Sequence, residues 1–374
     1  MEIEVLQKDK IKRVPKLRFG EFDREWLKTK VVDFAPLQRG FDLPVIEIKE
    51  GDYPVVFSNG ILKTHSESKA KAPGVVTGRS GTLGKVTFVE NEYWPHNTTL
   101  WVTDFKGNDP KYVYYFYLNF KLERFGTGSS VPTLNRNDIH VQKRCIPSLP
   151  EQQKIASFLS AVDKKIQQLI RKKDLLELYK KGVMQKLFSQ EIRFKPALSG
   201  AEGDANAIDF PKWKNKKIGE VLKIGSGRDY KHLKAGEIPV YGTGGLMTFV
   251  NDFLFDGDSV GIGRKGTIDK PVFLKSKFWT VDTLFYTHSF NQVLPKFVFS
   301  IFQQINWKKH NEASGVPSLS KKTIEEIKIP VPCGKEQQKI ADFLSGLDIK
   351  IEVVSQQITQ TQNFKKGLLQ QMFV

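Results

Sequence analysis

The stretch that decides the fold is a helical signature that occurs twice. Residues 151–166 read EQQKIASFLSAVDKKI and residues 336–351 read EQQKIADFLSGLDIKI, at an offset of 185 residues. Similarity at a fixed offset indicates an internally repeated architecture. Within the signature, apolar residues recur at the three- and four-residue spacing of one helix face. The sequence therefore predicts two related helices and, around them, two copies of one fold.

The similarity between the two copies extends over most of the chain. The same offset aligns VPTL at 131–134 with VPSL at 316–319, and GRSGTLGKVTFVENEYW at 78–94 with GRKGTIDKPVFLKSKFW at 263–279. Around Trp26 and Trp213 the offset is 187 residues, so the second copy is two residues shorter between Trp213 and Gly236. The chain is therefore one unit of about 185 residues written twice.

Each copy has a first part with strand signals and a second part that is helical. The first parts carry short β-branched and aromatic runs split by Gly and Pro, with helices expected at residues 110–121 and 294–308. The helical parts repeat apolar residues at coiled-coil spacing. Polar residues interrupt this seam at four positions: Lys173, Lys180, Thr361 and Lys365. The predicted fold class is therefore α+β (mixed α/β).

The two long helices are expected to run antiparallel. At 1.5 Å per residue each would be roughly 55 Å long, whereas a globule of about 125 residues has a radius of gyration of only ~14 Å. The second globule follows one helix and precedes the other, so the end of the first should lie near the start of the second. LRF at 17–19 echoes IRF at 192–194, which predicts that the N-terminal segment docks beside the C-terminus. The predicted architecture is two globular domains joined by two long antiparallel helices, with an internal pseudo-two-fold repeat.

The composition is that of a folded and strongly basic protein. Hydrophobic residues make up 40% of the chain, and 58 Lys and Arg against 41 Asp and Glu give a formal charge of +17. Such an excess is typical of proteins that bind nucleic acid or an anionic membrane surface, although a merely soluble basic protein is the alternative. The sequence has no run of 18 uncharged apolar residues, no apolar signal core and only two widely spaced cysteines. A cytoplasmic location without a zinc site is therefore expected.

The stretch GRSGTLGK at 78–85 is close to a phosphate-binding loop, but the second copy argues against that function. Such a loop needs G-x-x-x-x-G-K-[ST], so that backbone amides surround the phosphates and a hydroxyl reaches Mg²⁺. Gly78 and Gly84 are one residue too far apart, Val86 replaces the hydroxyl residue, and the second copy has Asp269 in place of Gly84. Both copies share G-R-x-G-T-[LI]-x-K between apolar runs. This pattern predicts a strand, a glycine turn with a basic residue, and a second strand.

The repeated signature, entered through Ile146-Pro147 or Val331-Pro332, resembles the conserved regions of type I restriction-modification specificity subunits. RFGEFDREW at 18–26 carries the same resemblance, which covers nearly the whole chain. It implies a non-catalytic, DNA-binding subunit with two target recognition domains that reads a bipartite, asymmetric DNA site. The predicted domains are residues 1–150 (target recognition domain 1), 151–190 (spacer helix 1), 191–210 (linker), 211–334 (target recognition domain 2) and 335–374 (spacer helix 2).

The resemblance also implies partners for the chain. These are double-stranded DNA, two methylation subunits docked on the helices, and restriction subunits that join through the same core. S-adenosylmethionine, ATP and Mg²⁺ would be used by those subunits, and no cofactor is expected to bind to this chain. From the resemblance rather than from spacing, exposed glutamines of the paired helices are expected to contact the partner subunits: Gln152, Gln153, Gln337 and Gln338.

Catalytic motifs are not found in the sequence. NDPK at 108–111 is not the [DN]-P-P-[YFW] motif of adenine methylation, and the E-x-K triplets at 47–49 and 326–328 do not both follow a plausible metal-binding aspartate. The six histidines show no metal-binding spacing. Three alternatives stay open: a fused methyltransferase or nuclease of the same lineage, a free-standing DNA-binding scaffold, and a membrane-surface protein. The last is disfavoured because the basic residues are not gathered on one amphipathic helix.

Candidate DNA contacts are basic and small polar residues on the loops of the two copies. Arg79 and Arg264 lie on the repeated glycine turn, where arginine can fork onto guanine, clamp phosphate or remain a solvated charge. Loops that differ between the copies are the stronger candidates for reading bases. The predicted DNA-binding residues are Arg39, Lys63, Arg79, Thr82, Lys85, Ser129 and Arg136 in the first copy, and Arg228, Lys231, Arg264, Lys265, Thr267, Lys270 and Lys321 in the second.

Overall fold

The chain folds as two units of similar construction. The computed structural model describes residues 14–128, 130–196 and 209–374. Unit 1 comprises Met1–Ile170 and Gln356–Val374, and unit 2 comprises Arg171–Ser355. Part of the predicted linker at 191–210 lies outside the described residues. Within the described ranges, no helix is both long and apolar enough to cross a membrane.

Unit 1 is built from short strands, most of them antiparallel. They are β1 (Leu27–Lys30), β2 (Leu37–Arg39), β3 (Tyr53–Phe57), β4 (Gly60–His65), β5 (Gly74–Gly78), β6 (Val86–Val89), β7 (Trp94–Pro95), β8 (Thr99–Val102), β9 (Gly126–Thr127), β10 (Thr133–Leu134) and β11 (Lys143–Ile146). A four-stranded antiparallel sheet has the order β2-β8-β5-β6. A three-stranded sheet has the order β4-β3-β7, with β7 parallel to β3. The remaining pairs are β1 with β11 and β9 with β10.

The helices of unit 1 pack on the four-stranded sheet through a common core. They are α1 (Val31–Phe34), α2 (Pro110–Asn119), α3 (Arg136–His140), the first part of α4 (Leu149–Phe188) and the last part of α8 (Gly334–Met372). The predicted helix at 110–121 is confirmed in α2. It begins there because Asp109 accepts a hydrogen bond from the Tyr112 backbone N–H at 2.8 Å and Pro110 occupies the first turn. Tyr112, Leu100 of β8 and Leu159 of α4 are buried together in the core.

Unit 2 repeats this construction. Its strands are β12 (Lys214–Lys217), β13 (Lys223–Ser226), β14 (Ala235–Gly242), β15 (Gly245–Val250), β16 (Phe255–Asp256), β17 (Ser259–Gly263), β18 (Val272–Leu274), β19 (Lys277–Thr280), β20 (Leu284–His288) and β21 (Lys328–Val331). The two four-stranded sheets have the orders β13-β20-β17-β18 and β15-β14-β19-β16, and β12 pairs with β21. The first of these sheets is the counterpart of β2-β8-β5-β6 in unit 1.

The helices of unit 2 are the second part of α4, α5 (Ile218–Val221), α6 (Pro295–Phe302), α7 (Lys321–Glu326) and α8 (Gly334–Met372) as far as Ser355. The predicted helix at 294–308 is shorter than expected, since α6 ends at Phe302 and a 3-10 turn follows at Trp307–His310. The Trp307 indole N–H donates to the Phe302 carbonyl at 2.8 Å. This buried hydrogen bond uses a carbonyl that the end of the helix leaves free, and it turns the chain back on itself.

The internal repeat is confirmed at the level of single elements. At the 185-residue offset, β3 and β4 correspond to β14 and β15, β5 and β6 to β17 and β18, and α2 to α6. Single hydrogen bonds recur as well. The Asp109 backbone N–H donates to Gln152 Oε1 at 3.0 Å, and the Leu294 backbone N–H donates to Gln337 Oε1 at 2.9 Å. The mixture of helices and sheets confirms the predicted fold class.

Within each unit the two long helices run antiparallel, as predicted. In unit 1, Leu159 near the start of α4 shares a core with Leu368 near the end of α8. In unit 2, Leu187 near the end of α4 shares a core with Leu344 near the start of α8. Apolar stripes on two helices therefore bury each other in both units.

Two of the lysines that interrupt the seam form ion pairs with the facing helix. Lys365 Nζ lies 2.6 Å from Asp163 Oδ1 in unit 1, and Lys180 Nζ lies 2.6 Å from Asp348 Oδ1 in unit 2. These pairs are equivalent at the 185-residue offset. The lysine side chains are only 16% and 12% exposed, so each charge lies inside the seam beside its partner. Such polar positions fix the register of paired helices.

The segment before the first strand of each unit docks on the end of a long helix. The Leu17 backbone N–H donates to the Gln371 carbonyl at 3.0 Å, and the Ile192 backbone N–H donates to the Lys186 carbonyl at 3.2 Å. Beside the first of these contacts, in unit 1, Arg18 forms a bidentate ion pair with the buried Glu151, at 2.7 and 2.8 Å. The prediction that the N-terminal segment lies beside the C-terminus is confirmed.

Candidate nucleic-acid interface

The repeated glycine turn connects two antiparallel strands in each unit. Residues 78–85 join β5 to β6, and residues 263–270 join β17 to β18. Both strand pairs are antiparallel neighbours. A phosphate-binding loop would instead open a helix. The predicted strand, glycine turn and second strand are therefore confirmed in both copies.

The turn needs glycine at two positions in each copy. A Cβ on Gly78 would lie 1.8 Å from the Thr82 carbonyl oxygen, and a Cβ on Gly263 would lie 2.0 Å from the Thr267 carbonyl oxygen. Three residues after each of these glycines, Gly81 has φ +81° and Gly266 has φ +83°. This left-handed conformation is costly for other residues. The same two glycine constraints therefore fix the backbone around the turn arginine in both units.

A second loop is held against this turn by the turn arginine itself. In unit 1 the Leu134 backbone N–H donates to the Arg79 carbonyl at 2.8 Å, and in unit 2 the Leu319 backbone N–H donates to the Arg264 carbonyl at 2.9 Å. The backbone N–H of Arg79 donates to the Thr98 carbonyl, and the backbone N–H of Arg264 donates to the Thr283 carbonyl, both at 2.8 Å. The glycine turn and the loop before α3 or α7 thus form one hydrogen-bonded framework.

In unit 1 this framework borders an open groove of about 680 Å³, which we name groove 1. Three of its side chains are arginines, and one is a carboxylate. Its lining consists of Gln38, Arg39, Gly40, Phe41, Asp42, Arg79, Leu100, Thr133, Leu134, Asn135 and Arg136. The structure therefore brings together three of the predicted DNA-binding residues, Arg39, Arg79 and Arg136.

Unit 2 has a corresponding groove of about 390 Å³, which we name groove 2. Its lining consists of Ser226, Arg264, Lys265, Phe285, Glu312, Ser318, Leu319, Ser320 and Lys321. Three of these are predicted DNA-binding residues, namely Arg264, Lys265 and Lys321. Arg264 and Lys321 occupy the positions of Arg79 and Arg136, so the two grooves share a basic frame.

The electrostatics of groove 1 centre on one ion pair. Arg39 donates from Nη1 to Asp42 Oδ2 at 3.0 Å and from Nη2 to Asp42 Oδ1 at 2.6 Å. Asn97 also donates to Asp42 through its side-chain amide. The hydrogen bonds from Arg39 and then from Asn97 lower the pKa of Asp42 to about 2. The carboxylate therefore stays ionised near neutral pH.

Groove 2 is arranged differently. The Arg264 guanidinium lies 5.8 Å from the centre of the Phe285 ring, and its Nη1 is 3.5 Å from the Asp282 carbonyl oxygen. The groove carboxylate, Glu312, accepts hydrogen bonds from the Thr323 hydroxyl and from the Ser320 backbone N–H. These bonds, led by that of Thr323, lower the pKa of Glu312. The basic frame is shared, whereas the side chains that it presents differ.

The remaining predicted DNA-binding residues do not line either groove. Lys85 donates through Nζ to the Asn59 carbonyl and thereby ties the glycine turn to the β3–β4 hairpin. Ser129 lies outside the described residues. Contact with DNA stays a prediction for the other positions, which lie on β4, in the glycine turns or between β13 and β14: Lys63, Thr82, Arg228, Lys231, Thr267 and Lys270.

Groove residues that the sequence reasoning did not single out include Phe41, Asp42 and Glu312. Asp42 carries a recognisable signal, because it is an opposite charge three residues after Arg39 in a glycine-containing segment. Glu312 gives no such signal. It reaches groove 2 because its carboxylate folds back on the start of α7, where the Ser320 backbone N–H donates to it at 3.2 Å.

The expectation that Gln152 and Gln337 are exposed is wrong. Their exposed fractions are 2% and 0%. Gln152 donates to the Pro147 carbonyl at 3.0 Å and to Asn108 Oδ1 at 2.8 Å, and its oxygen accepts from the Asp109 backbone N–H. These bonds consume the hydrogen-bonding groups of the amide, which joins the start of α4 to the start of α2. Gln153 and Gln338, by contrast, are exposed, and their contact with partners stays a prediction.

A metal centre is not evident in the described ranges, where no group of three or more His, Cys, Asp or Glu side chains could hold an ion. The chemistry that the two grooves offer is recognition by charge and hydrogen bonds. Arginine and lysine side chains on rigid backbone suit phosphate oxygens and the acceptor atoms of base edges.

Comparison with known proteins finds similar specificity subunits both by sequence and by structure. The chain is 24% identical to the specificity subunit of the type I restriction enzyme MjaVIII from Methanocaldococcus jannaschii, over 65% of this chain and 64% of that protein. The fold resembles the type I restriction-modification S subunit from M. genitalium, with a TM-score of 0.66 and 20% identity over 96% of this chain and 99% of the other.

A second fold neighbour comes from a structure on complex assembly and conformational transition of the type I R-M system. It has a TM-score of 0.54 and 12% identity, and the match covers 92% of this chain and 95% of the other. The family model described as type I restriction modification DNA specificity domain matches twice, at residues 24–178 and 211–362. These two matches cover both repeats and most of the chain. The chain therefore belongs to the type I restriction modification DNA specificity domain family.

Proposed function

We propose that this chain is the DNA-specificity subunit of a type I restriction-modification complex. Unit 1 reads one half of a bipartite DNA site with groove 1, and unit 2 reads the other half with groove 2. The observation that carries the proposal is that one loop framework occurs twice and is lined differently each time. The chain supplies recognition, and the chemistry belongs to other subunits.

The grooves suit the two kinds of contact that DNA readers make. Phosphate contacts from Arg and Lys supply affinity and position, and hydrogen bonds to base edges supply specificity. Two pairs of basic residues occupy equivalent places in the two grooves: the turn arginines Arg79 and Arg264, and the loop residues Arg136 and Lys321. We assign these four residues to contacts with the DNA phosphates. The net charge of +17 supports a polyanionic partner of this kind.

An asymmetric site follows from the differences between the grooves. Arg39 of groove 1 corresponds to Ser226 of groove 2 at the 187-residue offset, and Ser80 corresponds to Lys265 at the 185-residue offset. A serine and an arginine present different donors to a base pair. Two half-sites with different sequences are therefore expected.

The partners of the chain are proposed to dock on the long helices. Leu175, Leu178 and Tyr179 are exposed at i, i+3 and i+4 on α4, and Ile349 and Val353 are exposed at i and i+4 on α8. All five lie in unit 2. Exposed apolar stripes of this kind are typical of protein–protein contacts. We assign them to two methylation subunits, which restriction subunits then join, with Gln153 and Gln338 as further contacts at the helix starts.

The cofactors of the reaction are proposed to bind to the partners. S-adenosylmethionine would serve the methylation subunits, and ATP and Mg²⁺ would serve the restriction subunits. This chain would hold none of them. The test is to incubate the pure chain with DNA and S-adenosylmethionine. Methyl transfer by the chain alone would instead support a fused methyltransferase.

The test of the whole proposal is to map the methylated adenines in a host that carries the complete complex. We expect one asymmetric motif of two parts separated by unread bases. A continuous palindrome would contradict the proposal. Co-purification with a methyltransferase distinguishes a specificity subunit from a free-standing DNA-binding protein.

A further inference from the structure

We infer that Arg39 reads a guanine in the half-site of unit 1 and that Asp42 is the positioning residue that orients it. This inference rests on the proposed function, because it names a base contact within groove 1. It concerns two side chains that form one ion pair at the edge of the groove.

The backbone that carries Arg39 is held on both sides. Arg39 is the last residue of β2 and pairs with Leu100 of β8. The next residue, Gly40, donates its backbone N–H to the Thr99 carbonyl at 3.0 Å. A Cβ on Gly40 would lie 2.2 Å from the His96 carbonyl oxygen, so the chain passes too close to this neighbour for any other residue. The backbone position from which the Arg39 side chain extends is therefore fixed.

Asp42 fixes the far end of the same side chain. Its two oxygens accept from Nη1 and Nη2 of Arg39, at 3.0 and 2.6 Å, and Asn97 donates to Oδ1 from another segment. The carboxylate is thus anchored independently of the arginine. Since its pKa is lowered to about 2 by Arg39 and then by Asn97, it keeps its charge throughout the neutral range.

The ion pair leaves a second recognition edge on the arginine. A guanidinium has five N–H donors, and the pair with Asp42 takes one from each terminal nitrogen. The Nε and Nη2 donors on the adjacent edge point in parallel, as a bidentate contact requires. Guanine presents two acceptors, O6 and N7, in the major groove, and arginine is its commonest partner.

The neighbouring charge decides between a base and a phosphate. An ionised carboxylate within hydrogen-bonding distance of the guanidinium repels a phosphate, whereas the edge of guanine is uncharged. Arg79 and Arg136 lie in the same groove, and within the described ranges neither of them forms an ion pair with a carboxylate. We therefore assign the phosphate contacts to Arg79 and Arg136, and the base contact to Arg39.

The contact is expected in one half-site only. Groove 2 has Ser226 in the position of Arg39. A serine can accept or donate one hydrogen bond and does not form the arginine fork. Removal of the Arg39 side chain should therefore abolish the guanine preference in the half-site of unit 1. The base preferences in the half-site of unit 2 should not change.

The experiment uses the complete chain in complex with its methylation subunits and a DNA pool in which each base pair of both half-sites is varied. For Arg39→Ala we expect the preference for one G·C pair in one half-site to fall by about 5- to 150-fold. Asp42→Asn keeps the shape but removes the charge, and should weaken the same preference at that one position. Lys106→Ala is the matched control, because it removes one positive charge from an exposed ion pair of unit 1 with Asp104, outside groove 1.

Each outcome separates the inference from the proposed function. If the wild-type complex shows no base preference in either half-site, the proposed function fails. If the wild type is specific and Arg39→Ala keeps every preference, only the inference fails. A uniform loss of affinity for all sequences, with a shallower salt dependence, would make Arg39 a phosphate contact and overturn the inference. Should Arg39→Ala fold poorly, Arg39→Gln gives the same comparison, because a glutamine amide does not reproduce the arginine fork on guanine.

Discussion

At the scale of single residues, the glycine turn shows how backbone geometry positions a functional side chain. Arg79 follows Gly78, whose missing side chain lets the Thr82 carbonyl approach the backbone. The arrangement recurs around Arg264. Because both glycines and both arginines occur at fixed offsets, this turn could be predicted from the sequence alone. The groove beside it could not, since Arg39 and Arg136 reach it from distant segments.

The first prediction concerns Gly78. Gly78→Ala should lower the free energy of unfolding by about 1–3 kcal/mol, because the new methyl group overlaps a backbone oxygen that cannot move freely. Urea denaturation of the complete chain measures the effect. Gly20→Ala is the control, since no heavy atom beyond the two adjacent residues lies within 4 Å of a Cβ at that position. Equal stability of the two variants would mean that the turn adapts.

Gln152 shows where reasoning from sequence failed. The family resemblance led to the expectation that Gln152 is exposed and contacts a partner subunit. In the structure its amide connects Asn108, Asp109 and Pro147 instead, and Gln337 makes the corresponding contacts in unit 2. Both copies of the signature contain two adjacent glutamines, and the sequence does not show which of the two is buried.

The second prediction uses these neighbours as a matched pair. Gln152→Leu leaves buried polar groups of the α2 start without partners and should cost about 2–4 kcal/mol of unfolding free energy. Gln153→Leu, on the exposed side, should change it by no more than about 0.5 kcal/mol. Thermal or urea unfolding of both variants gives the comparison. A similar small effect for both would argue against the bonding role of Gln152.

At the scale of elements, hydrophobic periodicity predicted the two long helices, and their polar interruptions needed the structure for an explanation. The pattern showed that Lys180 and Lys365 break the apolar seam, but not what they contact. Each lysine reaches an aspartate of the facing helix within its unit. The sequence pattern also overestimated the length of α6. The sequence does not reveal that the Trp307 indole N–H donates a hydrogen bond to the carbonyl at the end of this helix.

The third prediction tests one of these ion pairs. Lys180→Ala should lower the unfolding free energy by about 1 kcal/mol, because Asp348 then lacks its partner in the seam. The reversed pair, Lys180→Asp with Asp348→Lys, should regain much of the loss. Lys181→Ala, on the exposed face, is the control. A double-mutant cycle measures the coupling, and a coupling near zero would show that the seam does not depend on the pair.

At the scale of the whole molecule, the duplication was the strongest signal, because an offset can be read without any structure. It predicted the two sets of elements and the recurrence of the turn. What differs between the copies was less accessible. The side chains that line the grooves come from segments more than 30 residues apart, such as Arg39 and Arg79, so only folding brings them together.

The last prediction follows from the separation of the two grooves between the two units. Residues 16–150, which include every residue lining groove 1, can be exchanged for the corresponding region of another family member. The exchange should change one half of the methylated motif and leave the other half unchanged, because groove 2 is built from residues 226–321. The incoming region must keep a backbone N–H and an acceptor for Gln152, or the junction with α4 loses its hydrogen bonds. Sequencing of methylated adenines reads the outcome, and exchange of Asn108 and Asp109 back to their present identities controls for a poor junction. A change in both halves would mean that the two units do not recognise DNA independently.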